Sequence, residues 1–129
     1  MTTRRTLLAA FAVAPMLFGT AASAAEMTYT LAAFEAAQKA DKPILVHITA
    51  PWCTTCAAQK PILSKLEADP KFKDLQVFDV DFDSRKDVVK KFGATMQSTL
   101  ITYKGTKETG RSAGETKPEA ISSLLDKAI

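Results

Sequence analysis

The sequence predicts a single α/β domain, on three observations. Runs of strand length, apolar or alternating, recur at Ile44 to Ile48, Val77 to Asp83 and Thr99 to Lys104. Segments with apolar residues at helical spacing alternate with them, and Gly, Pro and Asp punctuate the joints. A chain of 129 residues that is 47% apolar can bury one ordinary core, so one domain is expected. The sequence shows no internal repeat, low-complexity stretch or long linker.

The first stretch is set aside before elements are counted. Arg4-Arg5, the apolar run Leu7 to Phe18 and the small-residue end Ala22-Ser23-Ala24 read as a secretory signal peptide over residues 1–24, leaving 25–129 as the globular part. The apolar run is shorter than the roughly 20 residues that span a bilayer, which favours a cleaved signal over a retained anchor. Thr3-Arg4-Arg5-Thr6-Leu7-Leu8 also resembles a twin-arginine export signal. Two arginines are equally an ordinary signal n-region, so both export routes stay open. Removing Arg4 and Arg5 from the 17 basic residues leaves 15 against 14 acidic ones, a net charge of about +1. That charge makes no case for nucleic acid or a membrane surface as a partner.

In order, Met27 to Thr30 reads as a short first strand. Leu31, Phe34, Ala37 and Gln38 fall on one side of a helix ended by Asp41, Lys42 and Pro43, and Ile44-Leu45-Val46-His47-Ile48 is a buried central strand. A helix from about Cys53 to Ala68 follows, with Pro61 inside it removing one backbone donor and kinking the axis, and Asp69-Pro70 stops it. Phe78, Val80 and Phe82 alternate along the next strand. Ser84 suits the N-cap of a helix through Lys91, with Val88, Val89 and Phe92 facing inward and Gly93 ending it. Thr99 to Lys104, a turn at Gly105 and Glu108 to Ser112 form an antiparallel hairpin. The last helix, Lys117 to Ile129, carries Ile121, Leu124, Leu125 and Ala128 at i, i+3, i+4, i+7. The predicted order is β-α-β-α-β-α-β-β-α.

Chemistry concentrates in Ala50-Pro51-Trp52-Cys53-Thr54-Thr55-Cys56-Ala57, which holds both cysteines and the only tryptophan and joins a strand to a helix. A Cys at the first turn of a helix meets unpaired backbone N–H groups and the positive end of the macrodipole, which favour its thiolate. Two intervening residues place Cys56 one turn further on, where it can attack a mixed disulfide formed at Cys53. A structural zinc site would need two more ligands, and the chain has one His and no other Cys. Ala57 stands where haem attachment needs His. A four-residue loop constrains the unfolded chain too little to serve as a structural staple.

Trp52-Cys53-x-x-Cys56 after a hydrophobic strand, with Pro61 five residues beyond the second Cys, resembles the thioredoxin family over roughly Met27 to Ile129. The resemblance implies the thioredoxin fold, a mixed central sheet of four to five strands flanked by helices on both faces. It also implies thiol–disulfide oxidoreductase activity, with Cys53 the nucleophile, Cys56 the resolving thiol and Trp52 a shield and contact surface. It calls for no cofactor or metal beyond the Cys53–Cys56 disulfide. Export would put the dithiol in an oxidising periplasmic or extracellular compartment, so the expected partners are protein thiol or disulfide substrates and a dedicated redox donor. A monomer is expected.

The sequence departs from the family pattern at three places: His47 with Asp79, Ser98, and Thr54-Thr55. His47 stands where thioredoxins usually carry a buried Asp that moves protons for the second Cys, and an imidazole there could take the Cys56 proton directly or could be a satisfied core residue. Asp79 falls where a Lys often sits beside that Asp. Next to His47 it would orient the ring; otherwise it and Asp81 would line a solvated face. Ser98, in Gln97-Ser98-Thr99, takes the place of a cis-proline, so a trans peptide is expected, because a cis bond before a non-proline residue costs roughly 3 kcal/mol. Its N–H or hydroxyl could donate to a thiolate at Cys53, and the substrate contacts expected of Gln97, Ser98 and Thr99 are altered. Thr54-Thr55 brings neither charge nor His between the cysteines, which points to an intermediate potential and a reductant rather than a strong oxidant. The alternative is a binding module of the same fold holding a soft metal such as Cu(I) without turnover, with Met96 the nearest additional soft ligand on a facing loop.

Overall fold

The computed structural model describes Gly19 and residues 23–129; the expected signal peptide lies almost wholly outside the described residues. The elements follow in the order β1 (Ala25–Thr28), α1 (Leu31–Lys39), β2 (Pro43–Thr49), α2 (Thr54–Glu67), β3 (Gln76–Asp81), α3 (Lys86–Lys91), β4 (Thr99–Lys104), β5 (Lys107–Ala113) and α4 (Pro118–Asp126), with a 3-10 turn at Pro70–Phe72 after α2. They form one five-stranded sheet in the order β1-β3-β2-β4-β5. β1 and β2 run parallel to β3, whereas β4 is antiparallel to β2 and β5 to β4. This is the mixed sheet that the sequence led us to expect, with β2 at its centre.

Alternation along β2 divides the core. Ile44, Val46 and Ile48 join Phe34, Ala37, Phe78, Val80, Val88, Val89 and Phe92 on the face covered by α1 and α3. Leu45 joins Leu63, Val77, Leu100, Ile121, Leu124 and Leu125 on the face covered by α2 and α4. Both faces of β2 are buried, which is why it reads as an unbroken apolar run interrupted only by His47.

Several boundaries differ from the sequence reading, and at β1 and Ser84 the cause is local. β1 ends at Thr28 because Thr30 is the N-cap of α1, its hydroxyl accepting from the Ala33 N–H at 3.2 Å. Ser84 does not cap α3. The Asp81 carboxylate accepts from the N–H groups of Asp83 (3.0 Å) and Ser84 (2.8 Å) and from the Ser84 hydroxyl (2.9 Å). That turn ends β3 at Asp81, short of Phe82, and moves the helix start to Arg85, which offers no side-chain cap.

Gly105, at the β4–β5 turn, has φ +57°, and a Cβ there would lie 2.5 Å from Asp41 Oδ1. The hairpin irregularity lies at Thr102/Tyr103: Thr102 pairs with Gly110 and Tyr103 with Glu108, leaving Thr109 as a bulge.

Candidate active site

α2 begins where β2 delivers the chain to the edge of the sheet. Cys53 is its N-cap, with extended φ −80° and ψ 108°, and its Sγ accepts from the Cys56 N–H at 3.0 Å. A sulfur in that position lies at the positive end of a helix of 14 residues. Cys56 lies one turn along and the two are joined as a disulfide, Cα–Cα 5.2 Å. The pair is nearly buried, 4% and 1% exposed, and packs with Ala50 and Phe82. Trp52 is 59% exposed, its indole N–H donating to Asp83 Oδ2 at 2.6 Å, so it presents an apolar surface beside the nucleophile while its polar end is held. Pro61 lies inside α2, five residues beyond Cys56.

The Gln97–Ser98 peptide is trans and Ser98 takes φ +61°. The Ser98 hydroxyl donates to the Gln97 carbonyl at 2.5 Å. Thr99 is likewise occupied, its hydroxyl donating to the Met96 carbonyl at 2.7 Å. Ser98 and Thr99 are buried, and of the three residues only the half-buried Gln97 keeps a side chain at the surface. The Ser98 carbonyl accepts from the Gly114 N–H at 3.0 Å and from Gln59 Nε2 at 3.1 Å.

His47 is buried on the α2 face of β2, and the parallel register pairs it with Asp79. Its Nδ1 lies 3.3 Å from Asp79 Oδ1 and its Nε2 3.1 Å from Gln59 Oε1. Asp79 does orient the ring, and both ring nitrogens have partners. Direct transfer from Cys56 to Nε2 would require the Gln59 bond to open. Gln59 itself escaped the sequence reading. It is fully buried and occupies the α2 face of Cys56 and Leu63, so the available signal was an amide at i+3 from the second Cys on an otherwise apolar stripe.

Beside His47 is a cavity of about 90 Å³ lined by Glu26, Lys60, Leu63, Glu67 and Asp79. A hydrogen bond to Asp79, reinforced by its negative charge, raises the Glu26 carboxyl above its ordinary range. Burial pushes Asp79 upward, but the hydrogen bonds from His47 and Glu26 outweigh it and hold its carboxyl low. Burial first, then the Glu26 and Asp79 charges, push Glu67 up to about 7. A larger apolar groove of about 660 Å³ between α2 and α4, lined by Pro61, Ile62, Leu66 and Pro118, contains neither cysteine nor His47. Among the described residues no cluster of three His, Cys, Asp or Glu is placed to hold a metal, and no helix is long and apolar enough to cross a membrane.

A vicinal cysteine pair at the N-terminus of a helix, after the central strand of a mixed sheet, defines a thiol–disulfide oxidoreductase of the thioredoxin fold. The thioredoxin family model matches residues 25–127, and the chain belongs to that family. It is 31% identical over 101 residues to the thioredoxin of Alicyclobacillus acidocaldarius, covering 78% of this chain and 95% of that protein. The crystal structure of Trxlp from Edwardsiella tarda superposes with TM-score 0.75 at 44% identity, over 80% of this chain and 98% of that one. The oxidised form of mitochondrial thioredoxin 3 from Saccharomyces cerevisiae shares the fold with TM-score 0.66 at 24% identity, over 79% of this chain and 92% of that one.

Proposed function

We propose that this chain is an exported reductant acting as a monomer on the disulfides of a few specific protein partners in the periplasm or extracellular space. The family supplies thiol–disulfide exchange at Cys53 and Cys56. The observation that carries the proposal is the placement of Cys53 Sγ at the helix N-cap, where the Cys56 N–H already donates to it. That donor favours the thiolate of the reduced form. Cys53 thiolate attacks a partner disulfide, the partner S–S bond breaks, and one partner sulfur leaves and takes up a proton. Cys56, losing its proton to the His47–Asp79 pair, then attacks Cys53 Sγ, and the second partner thiol is released. Two electrons pass to the partner and the Cys53–Cys56 disulfide remains, to be reduced by a dedicated donor.

One feature supports narrow specificity and another the reducing direction. Ser98 and Thr99 spend their side chains internally, which leaves Trp52 and Gln97 to meet the partner. Thr54-Thr55 adds no charge that would turn the pair into a strong oxidant. Export rests on residues 1–24 alone. The decisive experiment reduces a model disulfide with wild type and Cys53→Ser under a chemical donor. Wild type should turn over and the variant should not; equal rates overturn the proposal.

A further inference from the structure

We propose that Gln59 is a positioning residue that keeps a proton on His47 Nε2 and so routes proton exchange with the dithiol through the Nδ1–Asp79 end of the ring. The inference rests on the oxidoreductase reading of the site and concerns a residue outside the Cys motif.

The orientation of the Gln59 amide is set by its surroundings. Its nitrogen lies 3.1 Å from the Ser98 carbonyl and 2.9 Å from the Glu115 carbonyl, and an amide NH2 has two protons to give to two acceptors. The reversed amide would set an oxygen against two carbonyl oxygens in a fully buried position. Oε1 therefore faces His47 Nε2, and since a carbonyl oxygen only accepts, Nε2 carries the hydrogen.

A neutral ring protonated at Nε2 presents a lone pair at Nδ1. Nδ1 faces Asp79 Oδ1 at 3.3 Å, and with the imidazole only 3% exposed two lone pairs are not left facing one another there. One further proton lies between them, as imidazolium with carboxylate or as imidazole with carboxylic acid. Either way His47 and Asp79 hold that proton jointly, and Nε2 has no free lone pair for Cys56. The charged groups around the pair are Glu26 from β1 and Lys60 and Glu67 from α2; from the loops around Ser98 and Glu115 the amide receives backbone carbonyls. Glu26, exposed on β1 and lining the same cavity as Asp79, brings a second carboxyl to this end of the pair.

The test is spectroscopic first, because His47 is the only histidine and gives one imidazole pattern. Two-bond proton–nitrogen correlation spectra of the oxidised full chain, recorded across the pH range in which it stays folded, should show Nε2 protonated throughout. Gln59→Met, similar in length but without an acceptor, should lose this and show the Nδ1–H tautomer at high pH. A wild-type spectrum with bare Nε2, or a folded Gln59→Met with the wild-type pattern, overturns the proposal; the wild-type spectrum decides it should Gln59→Met not fold. In stopped-flow measurements of mixed-disulfide release, Asp79→Asn should slow wild type by about tenfold or more, and Gln59→Met, which has Nε2 as a second acceptor, by clearly less. Equal slowing in both backgrounds overturns the routing. A wild type that reduces no model disulfide would sink the oxidoreductase reading instead, and the spectra would still decide the role of Gln59.

Discussion

His47 is the one polar residue within the apolar run Ile44 to Ile48 of β2, and the proton-accepting role proposed for it makes a prediction that packing does not. Replacing it with Ala should slow release, in which Cys56 attacks the mixed disulfide, more than the first attack by Cys53. General-base assistance is typically worth about 10²- to 10⁴-fold, less where a thiol ionises partly unaided. Trp52, next to Cys53, allows both steps to be followed by fluorescence. Glu67 yields a second prediction. Its carboxyl is raised from 4.5 to about 7 in the folded chain, so between those values the native state holds a proton the unfolded state has released. Its contribution to stability therefore declines as pH rises through that window and levels off above it. Glu67→Gln should abolish this decline and leave the variant more stable near pH 8, by on the order of 1 kcal/mol after allowing for solvent access, as read from urea midpoints at pH 5 and pH 8.

At the level of elements, periodicity made the order legible and local chemistry moved its boundaries. Thr99 to Lys104 and the inward set Ile121, Leu124, Leu125 and Ala128 were readable because their neighbours in space are neighbours in pattern. Ser84 misled because its usual capping role is pre-empted by Asp81, a carboxylate three residues back that gathers three donors into a turn. Gln59 was harder still, since its acceptors lie 39 and 56 residues away and no local spacing announces them. The same holds for Gly110 beside the β5 bulge, whose missing side chain admits α4: a Cβ there would meet Leu124 Cδ1 at 2.6 Å and Thr102 Oγ1 at 3.2 Å. Gly110→Ala should cost about 1–3 kcal/mol through displaced packing, measured by denaturant unfolding, with little change in the kinetics of Cys53.

Across the whole molecule, the sheet sets the aromatic core apart from His47, Gln59 and Asp79. On the α1/α3 face Phe34 meets Tyr29 (5.5 Å), Phe78 (5.6 Å), Phe92 (5.3 Å) and Tyr103 (5.5 Å), mostly edge to face. Phe34→Ala should cost about 3–5 kcal/mol and lower the melting temperature, while the potential of the Cys53–Cys56 pair against glutathione stays near its wild-type value. His47, Gln59 and Asp79 lie on the opposite side of β2 or alongside it, so a core defect under α1 leaves their bonds intact.

The backbone at Ser98 bears on how this site can change by mutation. Codons for serine and proline commonly differ by one base, so the replacement lies within easy genetic reach. The structure resists it: a pyrrolidine ring demands φ near −65°, and residue 98 sits at +61° with its carbonyl gripped by both Gly114 and Gln59. Placing proline there would mean inverting a dihedral, releasing two donors and finding new partners for the buried Gln59 amide, which no single substitution accomplishes. Selection can tune Gln97 or Trp52 stepwise at the rim, but position 98 is crossed only by several coordinated substitutions.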